Sequence, residues 1–154
     1  MSTESNMQKY ANYKEQMERL NRAMKDHFFL EAMFIEYAVI EDRCESILTH
    51  AGVFRPDRHN TIVRMLRRIK ALIQSNATAK HYFSQDLIDR LFAWKDNRNA
   101  FIHALMKQTF TGEELEGIVQ EGLALTKTLC SKSTSYKRAL EREAIKEAAK
   151  IPLS

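Results

Sequence analysis

Apolar residues recur at steps of three and four along nearly the whole chain, and nowhere do they alternate in twos. That spacing collects side chains on one face of an α-helix and does not suit a half-buried strand. The clearest instance runs from Asp26 to His50, where Leu30, Met33, Phe34, Tyr37, Ile40, Cys44, Ile47 and Leu48 make a broad apolar surface. This stretch is expected to be the most buried helix. Four Gly and two Pro in 154 residues, with 44% apolar and 29% charged side chains, fit a helix-rich protein. A chain of this length buries a core without a structural metal or a disulfide framework. The expected fold is therefore all-α, a single-domain bundle of about five helices with short connections.

Local signals set the expected boundaries. A first helix covers residues 7 to 24, and Ala51-Gly52 followed by Pro56 closes the second. In "TIVRMLRRIKALIQ", Ile62, Leu66, Ile69 and Ile73 face inward, and "SNATAKHYF" reads as a loop. Ser84 is an N-cap for a fourth helix ending near Phe110, and Thr111 with Glu114 makes a capping box for a fifth. Gly122 lies on the inward stripe of that fifth helix, where it is expected to let another helix approach closely. The run "SKSTS" is expected to break the helix, leaving residues 132–154 as a semi-independent C-terminal helical tail on the domain spanning 1–154.

Charge is unevenly placed. Residues 55–81 hold seven Lys and Arg against Asp57 alone, whereas residues 1–54 carry three net negative charges and residues 82–154 one net positive. Arg64, Arg67, Arg68 and Lys70 crowd one helix, and a cationic block favours a polyanion such as nucleic acid or, on the plainer reading, forms a solvated face. Cys44 and Cys130 stand far apart, outside any CxxC or Cys/His cluster, so reduced core thiols are expected and a metal site is not. No HxxxH pair, Gly-rich phosphate loop or nucleophile elbow is present, and no cofactor is implied. The polar start "MSTESNMQKY" lacks the apolar stretch of a signal peptide, and no segment suits a bilayer, which points to a cytoplasmic setting without membrane contact.

One stretch breaks the pattern. Along the fourth helix, Leu87, Leu91, Trp94, Arg98, Phe101 and Leu105 follow core spacing, so Arg98 takes an apolar slot. Lys95, Asp96, Asn99 and His103 interrupt neighbouring lines. An inward guanidinium needs an acid or a phosphate, and Glu41 or Glu36 on the second helix could supply the acid. His103 would then bond to Asn99 or Asp96.

"RNAFIH", the pattern Arg98-Asn99-x-x-x-His103, resembles the Arg-x(4 to 6)-His motif of the HEPN (higher eukaryote and prokaryote nucleotide-binding) superfamily. That resemblance implies a metal-independent endoribonuclease, commonly a toxin of a toxin-antitoxin or other defence system. It further implies a homodimer whose two motif helices meet near a dyad, bringing both copies of Arg98 and His103 into one cleft. Within that frame His103 transfers protons, Arg98 stabilises charge on the phosphate and Asn99 orients His103 or binds a phosphate oxygen. Asp96 and Glu41 act in support, and Arg64, Arg67, Arg68 and Lys70 guide the RNA. The geometry of one helix favours pairing, because five residues at about 100° each set Arg98 and His103 roughly 140° apart. Leu105 stands where HEPN toxins silenced by a paired nucleotidyltransferase carry Tyr, so an antitoxin or other regulatory protein would act differently here. The alternative is a HEPN-like module that binds nucleotide, RNA or protein without chemistry.

Overall fold

The computed structural model describes residues 3–107 and 111–152. Among them the chain is all-α, with six helices: α1 (Thr3–Lys25), α2 (Phe29–His50), α3 (Ile62–Ser75), α4 (Ala77–Tyr82), α5 (Gln85–Ala104) and α6 (Gly112–Ala149). Two compact units divide the chain. The first comprises residues 1–40 and 94–126, the second residues 41–93 and 127–154.

In the first unit, Leu20 and Ala23 of α1, Met33, Ile35, Val39 and Ile40 of α2, Trp94 and Phe101 of α5, and Val119 and Leu125 of α6 are buried. The joint between α1 and α2 is a Schellman turn, in which the Phe28 amide donates to the Ala23 carbonyl at 2.8 Å and that of His27 to Met24 at 3.3 Å. His27 takes the left-handed conformation such a turn demands, with φ of 60°, a position that normally falls to glycine.

In the second unit, Ile62, Met65, Leu66, Ile69 and Ile73 of α3 are buried, as are Cys44, Ile47 and Leu48 at the end of α2. Gly52 closes α2 with φ of 75°, as the Ala51-Gly52 signal implies. Thr61 caps α3, accepting from the Arg64 amide. Ser84 caps α5, accepting from the Leu87 amide at 3.0 Å. At the first turn of α6 the capping box forms as expected, with the Thr111 and Glu114 amides each donating to the other's side chain at 3.2 Å.

Four expectations need correction. "SNATAKHYF" is not merely a loop: Asn76 accepts from the Ala79 amide at 2.9 Å and starts the short helix α4, whose Ala79 is fully buried. Six residues are too few for a helical period to register in the sequence. "SKSTS" does not break α6, because Ser133 and Thr134 donate back to the Cys130 carbonyl at 3.1 and 3.0 Å and so satisfy their hydroxyls within the helix. Residues 132–149 thus continue α6. On α2, Leu30 and Phe34 are exposed, so its buried face is narrower than the apolar pattern suggests. Finally, α5 ends at Ala104, short of Phe110, which lies outside the described residues. Among the described residues no helix is long and apolar enough to cross a membrane.

Candidate functional site

Lys95, Asp96, Arg98, Asn99 and His103 fall on the last three turns of α5, within the first unit. The apolar line through Leu87, Leu91 and Trp94 stays buried as far as Phe101, but Leu105, expected to continue it, is exposed. Arg98 is half-buried on that line. Its guanidinium carbon lies 4.0 Å from the centre of the Tyr37 ring, a cation–π contact, and its Nη1 donates to Asn99 Oδ1 at 3.0 Å. Tyr37 in turn sits 6.4 Å from the Trp94 ring, and Trp94 Nε1 donates to the Ile118 carbonyl at 3.0 Å. The guanidinium is thereby aimed by an aromatic wall fixed to the α6 backbone.

Asn99 engages Arg98, and it makes no bond to His103. Asp96 pairs with Lys95, with Nζ to Oδ1 of 2.7 Å, so it too is turned away from His103. His103 is exposed on the last turn of α5 and has no hydrogen bond or ion pair among the described residues. An imidazole in that setting is open to an incoming ligand. Beside it, Ile102, Leu105 and Met106 are also exposed, the last at 93%.

Neither carboxylate considered for Arg98 is shown as its partner. Glu36 is fully buried, and neither of its oxygens accepts a hydrogen bond. Burial pushes its carboxyl up to about 9. A neutral acid is the cheaper way to bury such a group, since ionisation without a partner would cost several kcal/mol. The carboxyl lies against Gly122, where a Cβ would come within 2.7 Å of Glu36 Cδ and of Trp94 Nε1. Close approach at Gly122 is thus real, and a side chain is what approaches. Glu41 belongs to the second unit, where its charge raises the buried Cys44 thiol further, after burial itself, to about 12.

The residues expected to guide RNA also belong to the second unit. Arg64 and Arg67 are exposed on α3, while Arg68 and Lys70 are half-buried. Arg64 Nη1 donates to the His59 carbonyl at 3.2 Å, and Arg68 Nη1 reaches Asn60 Oδ1 at 3.5 Å, so both brace the segment leading into α3. Arg67 projects from the helix without such a tie. The described residues hold no cluster of three His, Cys, Asp or Glu able to take a metal.

Sequence reasoning missed the Tyr37–Arg98 contact. Tyr37 sits among the apolar residues of α2, with Glu41 one turn along, so its type and spacing mark it as core rather than as a ring for a cation. No protein-family model, curated protein or solved structure matches the chain.

Proposed function

We propose that the protein is a metal-independent endoribonuclease of HEPN type, acting as a homodimer in a toxin or defence role. The observation that carries this reading is a guanidinium fixed by Tyr37 and Asn99, five residues before an exposed and unengaged imidazole on the same helix. The two groups point in different directions around α5, so two copies of the helix are needed to bring an Arg98 and a His103 to one phosphate. The exposed Ile102, Leu105 and Met106 flank His103 and supply apolar area for that pairing.

The chemistry uses the nucleophile that RNA carries. The 2′-oxygen attacks the adjacent phosphorus and forms a P–O2′ bond, while the P–O5′ bond breaks. The proton leaves the 2′-hydroxyl for a basic group and another is delivered to the departing 5′-oxygen, tasks suited to imidazole near neutral pH. Arg98 stabilises the charge that builds on the non-bridging oxygens. Asn99 holds Arg98 in place, a positioning role distinct from the contact with His103 suggested by the motif alone. The products are a 2′,3′-cyclic phosphate and a 5′-hydroxyl end.

Incubating end-labelled RNA with the protein in EDTA tests this directly. Cleavage is expected for the native chain and its loss for His103→Ala, with unchanged melting because His103 is exposed. Arg98→Ala should also abolish cleavage. Intact RNA with every variant, cleavage that requires Mg²⁺, or full activity in His103→Ala would overturn the reading. If Arg98→Ala only lowers the melting temperature while RNA binds and stays intact, the residue is a structural brace in a binding module.

A further inference from the structure

A cleft of about 440 Å³ lies within the second unit, between α4 and the C-terminal part of α6. Its size falls in the range of roughly 300–1,000 Å³ common for small-molecule sites. Thr78, His81 and Tyr82 line one side and Arg142, Glu143 and Lys146 the other. The charges are not balanced internally. Thr78 Oγ1 donates to Glu143 Oε1 at 2.6 Å, so the only carboxylate of the lining is held to the wall. Arg142 and Lys146 make no ion pair among the described residues, and both are exposed one turn apart on α6. His81 has a T-shaped contact with the Tyr82 ring, centroids 4.8 Å apart, and no hydrogen bond or ion pair among the described residues.

The lining therefore sets two cations and an imidazole against one carboxylate, which keeps its charge while accepting from Thr78, and the positive excess favours a phosphate over a cationic ligand. The volume exceeds what a bare phosphate fills, and the half-buried Tyr82 ring offers a surface for a flat group beside it. We propose that this cleft binds a nucleoside monophosphate, its phosphate held by Arg142 and Lys146 and its base set against Tyr82 and His81. The site is independent of Arg98 and His103 and does not rest on the ribonuclease reading.

Calorimetric titration of the full chain with 5′-AMP, inorganic phosphate and adenosine tests it, with amide shift mapping by NMR to locate the contact. The proposal expects AMP to bind more tightly than either fragment, with shifts centred on residues 77–82 and 139–146. Arg142→Ala with Lys146→Ala should weaken AMP about tenfold or more without altering the fold, since both side chains are exposed. His103→Ala should bind AMP as the native chain does. Several results would overturn it: no AMP binding at millimolar concentration, equal affinity for adenosine, binding that ignores the double substitution, or shifts elsewhere. Preference for a longer RNA with no terminal phosphate would also do so, making the cleft a track for nucleic-acid backbone.

Discussion

Single residues carry the sharpest consequences in the first unit, and Glu36 is foremost. Its carboxyl stays protonated in the folded chain up to about 9, whereas the ordinary value is 4.5. Between those values the unfolded chain holds fewer protons than the folded one, so stability falls as pH rises through this window and levels off above it. At pH 7 the accumulated penalty is about 3 kcal/mol. Glu36→Gln is expected to flatten this slope, so chemical denaturation of the variant should gain most over the native chain at the alkaline end and nothing at pH 4. Gly122 belongs to the same contact. Alanine there improves helix propensity by about 1 kcal/mol, yet its methyl group would strike the Glu36 carboxyl and the bonded Trp94 indole. Gly122→Ala should therefore lower stability on balance by about 1–3 kcal/mol, read as a fall in the denaturation midpoint. The fully buried Thr126 hydroxyl also lacks a partner, and Thr126→Val should be neutral or mildly stabilising by the same measurement.

Among the helices, the sequence declared those with caps and sustained periodicity. Ser84, Thr111 with Glu114, and Gly52 all do what their residue types suggest, because each acts through backbone atoms only a few positions away. Signals that depend on distant partners were hidden. A Ser/Thr run can break a helix or bond back into it, and here the bonds from Ser133 and Thr134 to the Cys130 carbonyl let α6 continue. The end of α1 is a further case, since His27 has no composition signal for a left-handed turn. A β-branched residue at that φ is strained, so His27→Val should cost about 1–2 kcal/mol, whereas His27→Asn should be tolerated. Thermal melts of the two variants would separate them. The site on α5 was legible as three residues with unusual neighbours. What could not be read was that Asn99 turns toward Arg98 and that Asp96 is taken by Lys95, because two side chains of one helix compete for partners in ways spacing does not rank.

For the molecule as a whole, the proposed pairing makes a separate prediction. Ile102→Asp and Leu105→Asp alter exposed positions, so each monomer should melt as before, but sedimentation should show loss of dimer and RNA cleavage should vanish with it. A native chain that sediments as a monomer at high micromolar concentration would remove the composite site. The all-α architecture followed from periodicity alone, since every long helix carries its own apolar stripe. The division into two units did not follow, because no Gly- or Pro-rich linker marks it and α2, α5 and α6 each contribute residues to both.

Cys44 gives the chain an internal clock. Wholly enclosed, with its thiol pushed to about 12, it has almost no thiolate to offer an alkylating reagent while the surrounding helices hold. Its rate of labelling therefore counts how often that part of the protein opens, and a ligand that tightens the fold should slow the count without touching the sulfur.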